Sequence, residues 1–272
     1  MIKFLFCLLL ICKAHAFYLI TNNGAAFNSS KVNIYITSNS TCSNTGWSKT
    51  DLLEMAQEGA KDTWNKVGRA DIEVKAAGEF TATNTDFLNG ELCVADSDTT
   101  CAAGTIPKVN NIVITCNNNG TNFPSNSVLA ISAPNNISGS KIKGSIIVIN
   151  NRADSQLSTF SKGEMQKILA HEIGHALGIG HSKDSAAFMY HKDIQNKNGL
   201  ARDDIYALSH LYPKKLDDMS CLGFLGSIEN QSNNNYWNKP LLVLSIGFLS
   251  IILVLQILQT LLGYLSNASV KV

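Results

Sequence analysis

The stretch that most limits what this chain can fold into is His171-Glu172-Ile173-Gly174-His175-Ala176-Leu177-Gly178-Ile179-Gly180-His181. Upstream, Ser161 followed by Glu164 has the capping-box pattern and predicts a helix start in front of Met165, Ile168 and Leu169. Residues four apart share a helix face, so His171 and His175 present two imidazoles to one point while Glu172 points to the neighbouring sector. Gly178, directly after Leu177, supplies the position at which such a helix ends and the chain can turn sharply. His181 can then swing back as a third nitrogen donor. Any fold this chain adopts must stop the helix at that glycine and leave room for the return.

Three neutral imidazoles and one open position form the donor set of a catalytic zinc site, since structural zinc is usually closed by four protein ligands. The open position is expected to hold water. Zinc lowers the pKa of such a water to about 7 and polarises a peptide carbonyl, and Glu172 is placed to take the proton and pass it to the leaving amine. The implied reaction is hydrolysis of protein or peptide substrates with Zn2+ as cofactor. A single histidine on a helix is more often packed or solvated than a ligand; the complete pattern carries this reading. Two alternatives compete. A surface adhesion domain that retains zinc without turnover is opposed by the presence of Glu172, and a structural zinc module would need His191 or His210 as a fourth ligand.

The extended motif resembles that of the metzincin proteases, in which a methionine turn lies below the metal, and Met189, eight residues past His181, fits that turn. Finer features resemble the matrixin, or matrix metalloproteinase-like, branch: Ser182, the run Ser185-Ala186-Ala187-Phe188-Met189-Tyr190, Asp203-Asp204-Ile205 through Leu211-Tyr212, and Ala60 with Trp64 in the first helix. The resemblance covers residues 17–213. It implies an α+β, α/β-like fold: a twisted five-stranded mixed sheet with one antiparallel edge strand, long helices including the motif helix, and a small C-terminal subdomain. By the same analogy, residues 128–133 are the edge strand that pairs with an extended substrate. A new N-terminus at Phe17 would pair its ammonium with an aspartate of the last helix, Asp203 being the candidate.

The sequence departs from the family's pattern at several points. No inhibitory segment with a zinc-binding cysteine fits between Phe17 and Val32. Ligands for the family's structural zinc and calcium are not recognisable, and Asp154 alone is weak support for Ca2+. His191 stands where matrixins have proline and where some other metzincins have a metal-contacting tyrosine.

Both ends of the chain read as targeting segments. Lys3, the apolar run from Phe4 to Cys12 and Ala14-His15-Ala16 predict a signal peptide over residues 1–16, cleaved before Phe17. From Leu241 to Leu265 no charged residue occurs, long enough at about 1.5 Å per residue to cross roughly 30 Å of hydrocarbon. The expected order is therefore a catalytic domain over 17–213, a polar linker over 214–239, a membrane-spanning helix over 240–265 and a short cytoplasmic tail over 266–272. The domain would face outward, at the cell surface, the extracellular space or the periplasm. Net charge is +1 from 22 basic and 21 acidic side chains, so nothing in the overall field favours nucleic acid. Seven cysteines become five after cleavage. Of these Cys42, Cys93, Cys101 and Cys116 allow two bridges in three connectivities, the short Cys93 to Cys101 loop favouring that pair, and Cys221 is left over.

Between the ends, β-type runs occur at Val32 to Ile36, Asp71 to Lys75, Ile112 to Thr115, Val128 to Ala133 and Ser145 to Ile149. A helix is expected from about Thr50 to Val67, on the spacing of Leu53, Ala56, Ala60, Trp64 and Val67, and another from about Ala201 to Leu211. Residues 78–111 are polar and predict loop.

Overall fold

A computed structural model describes residues 17–94 and 101–214. The expected signal peptide, linker, membrane span and tail lie outside them; among the described residues no helix is long and apolar enough to cross a membrane.

In chain order the elements are β1 (Ala26–Phe27), β2 (Lys31–Thr37), α1 (Lys49–Asp62), β3 (Glu73–Phe80), α2 (Asp86–Asn89), β4 (Asn111–Asn117), β5 (Ala130–Ser138), β6 (Lys141–Asn150), α3 (Lys162–Ala176) and α4 (Arg202–Leu211). The sheet is mostly parallel, in the order β1-β6-β4-β2-β3, and β5 pairs antiparallel with β6. It is thus an α/β sheet with one antiparallel strand, as the resemblance implies. The count is six strands rather than five because the two residues of β1 add a short parallel pairing with Lys141 and Ile142. In β4 and β6 the apolar runs are buried without alternation, as strands covered on both faces should be.

The strands expected at Val128 to Ala133 and Ser145 to Ile149 run instead over Ala130–Ser138 and Lys141–Asn150, and the ends of α1 and β3 differ from the sequence reading for identifiable reasons. Helix α1 starts after Ser48, whose hydroxyl caps Asp51 N–H while the Asp51 carboxylate caps Ser48 N–H. It ends at Asp62, because Thr63 leaves helical geometry and returns its hydroxyl to Gly59 O at 2.6 Å. Trp64 then begins a separate 3-10 turn that carries its indole into the core, where Nε1–H donates to Ala170 O at 2.7 Å. The buried stripe is consequently Leu52, Met55, Ala56, Gly59 and Ala60, with Leu53 at its margin. A Cβ at Gly59 would lie 2.7 Å from Gln166 O, so this glycine sets the close approach of α1 to α3. Strand β3 runs beyond Lys75 to Phe80, since the β2 pairing continues through a register shift at Ile34/Tyr35, next to Gly78 at φ +102°.

The polar segment before β4 is held by buried amides. Asn117 donates to Phe87 O and Gly90 O at 3.2 and 3.1 Å, and Asn122 donates to Gly90 O and to Asn117 Oδ1 at 3.0 and 3.1 Å. Two disulfides close loops: Cys42 to Cys116 joins the segment after β2 to β4, and Cys93 pairs with Cys101. The lone calcium candidate, Asp154, is instead held by the guanidinium of Arg152, whose Nε and Nη2 each donate to one carboxylate oxygen at 3.1 Å.

The two bridges differ in the chain they constrain, with sequence separations of 74 and 8 residues. From loop-closure entropy, replacing Cys42 and Cys116 together by Ala is expected to cost about 4 kcal/mol, against roughly 2–3 kcal/mol for Cys93 and Cys101. Denaturant unfolding of both double variants checks this; equal losses would mean that loop length does not govern the effect.

Candidate metal centre

Helix α3 begins where Ser161 and Glu164 cap each other's backbone N–H groups, and from Ile168 to Ala176 every residue is buried, including His171, Glu172 and His175. It ends at Leu177, and Gly178 takes φ +99°, a conformation that side chains disfavour. A Cβ there would also come 2.7 Å from Ala25 O. Carbonyls left over at the helix end are satisfied from three directions. Ser145 donates its hydroxyl to Ala176 O at 2.6 Å, Tyr212 donates its hydroxyl to Leu177 O at 2.8 Å, and Ile20 N–H donates to Gly178 O at 3.0 Å. Gly180 N–H in turn donates to Tyr18 O at 2.8 Å, so the N-terminal segment pairs with the loop that delivers His181.

The donor nitrogens of His171, His175 and His181 all lie within 4.8 Å of one another. His171 Nδ1 faces Phe188 O at 3.0 Å and His175 Nδ1 faces Ile179 O at 2.8 Å. A carbonyl can only accept, so each Nδ1 carries the proton and each Nε2 keeps its lone pair free. The Nε2 atoms of His175 and His181 approach to 3.1 Å. Burial pushes the imidazolium pKa of His171 down to about 4 and that of His175 well below the ordinary value, with the neighbouring imidazoles adding to the second effect. His181, more exposed, is lowered by desolvation and then by His191. Three imidazoles whose protonation is disfavoured, with ring nitrogens gathered within 4.8 Å of one another, fit a borderline-soft divalent cation such as zinc.

Glu172 is buried beside them. Burial raises its pKa to about 8, and its Oε2 has no hydrogen-bond partner among the described residues. A buried carboxylate oxygen without a partner fits a site that receives a polar group, here a metal and its water.

Met189 is buried in the turn that follows His181, against Gly174 of α3. Asp204 builds that turn: its two carboxylate oxygens accept from Phe188 N–H at 2.7 Å and Met189 N–H at 2.9 Å, and from Ala201 N–H at 2.7 Å. Asp203 accepts the Ser182 hydroxyl, while its Oδ1 is buried without a partner among the described residues. Phe17 packs its ring against His210, with centroids 5.3 Å apart. His191 stacks near Tyr190 and sits 6.0 Å from the His181 ring, at the exposed mouth of the cluster.

The structure therefore gathers His171, His175 and His181 into one place, with Glu172 on the same buried helix and Met189 against its Gly174, and puts His210 elsewhere, against Phe17. The matrixin family model matches residues 14–213. The chain belongs to the matrixin family. Curated relatives of this matrixin include Metalloendoproteinase 2-MMP of Arabidopsis thaliana, 34% identical over 67 residues, which is 24% of this chain and 18% of that protein. Metalloendoproteinase 1 of Glycine max is 43% identical over 51 residues, 18% of this chain and 17% of that protein. Each alignment thus spans less than a fifth of the relative's length.

Two site-building residues escape a reading of the sequence alone. Asp204 left a trace as an acidic residue in the first turn of α4, but its reach to the methionine turn is tertiary. Gly174 lies inside the motif, and a Cβ there would lie 2.5 Å from Met189 Sδ and 2.6 Å from Trp64 Cζ2. Gly174→Ala is accordingly expected to destabilise this matrixin by about 1–3 kcal/mol through overpacking. Chemical denaturation tests it, and wild-type stability would show that Met189 and Trp64 have room to give.

Proposed function

We propose that this domain is a zinc-dependent endopeptidase that hydrolyses peptide bonds of proteins outside the cytoplasm. The observation that carries the reading is the convergence of three neutral imidazoles beside a buried, partnerless carboxylate. His171, His175 and His181 would hold the zinc, with Phe188 O and Ile179 O orienting the first two rings. When bound, the ion supplies Lewis-acid polarisation of the scissile carbonyl and lowers the pKa of a coordinated water.

The remaining work falls to the chain's own groups. Glu172 would take a proton from the attacking water and return it to the departing amine, a role that suits a buried carboxyl whose Oε2 has no hydrogen-bond partner among the described residues. Met189 and Asp204 keep the floor of the site in place from below. Strand β5, which pairs with β6 and with no other strand among the described residues, offers backbone groups along which an extended substrate can align as an added strand. An N-terminal ammonium freed at Phe17 would meet the partnerless Oδ1 of Asp203. Two disulfides suit an oxidising compartment, in keeping with export. Attachment to a membrane rests on the uncharged stretch at 240–265 alone, and retention of the full chain in carbonate-washed membranes tests it.

The decisive pair of variants is Glu172→Ala and His181→Ala. The first is expected to retain one zinc per chain by elemental analysis while casein cleavage falls on the order of 10²- to 10⁴-fold. The second is expected to lose both metal and cleavage, as is wild type treated with a chelator. Proteolysis that survives replacement of His181, or purified protein without stoichiometric metal, would sink the reading.

A further inference from the structure

Away from the three histidines, the end of α1, the turn that follows it and the start of α4 line an open depression of about 700 Å³. Val67, Leu200 and Ile205 supply apolar lining, and Lys66, Arg69 and Arg202 stand around it. Tyr206, one of the few large apolar side chains left exposed, forms part of the same wall. A second cavity of about 360 Å³ shares Asp62 and Thr63 with the first and takes up the chain at Gly199, next to Leu200. It reaches Ala170 and Phe188, the neighbours that precede and orient His171, and it is lined by Lys167 and Lys197. The two form one trough.

The charge in this trough is lopsided. Against Lys66, Arg69, Lys167, Lys197 and Arg202 stands the single carboxylate of Asp62. Asp62 is already engaged, by Lys66 at 3.0 Å and by the Gln166 amide at 3.1 Å. Lys167 and Lys197 donate to the carbonyls of Gln195 and Ser185 and have no ion-pair partner within 4.0 Å among the described residues. Arg69 and Arg202 have no carboxylate partner among the described residues. With a net charge of only +1 on the whole chain, this is a local concentration and not the overflow of a basic protein.

We propose that this trough is a secondary binding site for an acidic, apolar segment of a polypeptide. Its carboxylates would be taken by the guanidinium forks of Arg69 and Arg202, and its apolar side chains would cover Val67, Leu200 and Ile205. The apolar lining favours such a peptide over a sulfated polysaccharide, which has the charge but nothing to bury. Binding here requires no turnover, so it stands or falls separately from the hydrolytic reading.

The test uses the full chain in detergent carrying Glu172→Ala, so that no probe is consumed. A fluorescent peptide alternating Glu and Leu, its counterpart with Gln for Glu, and a heparin fragment are titrated by anisotropy. The acidic peptide is expected to bind saturably and more weakly as salt rises, with the Gln peptide on the order of tenfold weaker. Adding Arg69→Glu and Arg202→Glu is expected to weaken the acidic peptide by a similar factor with unchanged thermal unfolding, and Ile205→Asn to weaken it by itself. If the double variant unfolds, Arg69→Ala and Arg202→Ala singly give the same readout. Peptide affinity indifferent to these changes overturns the proposal, as does a heparin fragment that binds more tightly than the peptide and depends on the same two arginines.

Discussion

The site depends on the abrupt end of one helix. Helix α3 stops at Leu177 so that His181 can return to the rings of His171 and His175, and a helix cut short inside a protein leaves carbonyls that water cannot reach. Here Ser145 from β6, Tyr212 from the end of α4, and Ile20 from the N-terminal segment each supply a donor. Gly178 allows the turn because its backbone is left-handed and because Ala25 O occupies the space a side chain would need. Sheet, the end of α4 and the N-terminal segment thus meet at three consecutive residues, Ala176 to Gly178, and a shift in any of them would move His181.

The same economy holds beneath the metal centre. Gly174 has no side chain because Met189 and Trp64 already fill that space, and Trp64 reaches it because α1 ends early and hands over to a 3-10 turn. Asp204 ties the methionine turn to α4 with three backbone N–H groups. Burial pushes its pKa up against the effect of those same bonds, so the carboxyl is spent on architecture and stands apart from the chemistry at Glu172. Two buried carboxyls a few residues from one cluster therefore do different work: Asp204 is fully engaged by the backbone, and Glu172 keeps an oxygen free.

Between β3 and β6 the chain relies on amides and a disulfide. Asparagines read as loop formers in sequence, and several are, but Asn117 and Asn122 are buried and act as cross-braces to the backbone around Phe87 and Gly90. The Cys42 to Cys116 bridge ties the segment after β2 to the centre of the sheet. These contacts hold a long connection whose polar composition offers few apolar side chains to bury.

Local pattern alone determined the motif helix with its capped start and glycine stop and the two histidines on one face, because helical spacing and capping are short-range physics. It also placed the central strands to within a few residues, since runs buried on both faces show in composition as well as in space. Only the tertiary structure decided the rest: which carbonyls orient the imidazoles of His171 and His175, where α1 gives way, that Gly174 and Gly59 are spaces for neighbours, that Asp204 serves the methionine turn, and that cations from the segment after α1, from α3, from α4 and from the loop before α4 share one trough. The reason is common to all of these. Each depends on groups distant in the chain meeting at atomic range, and a sequence pattern records what a residue needs from its nearest neighbours while saying little about which remote partner supplies it.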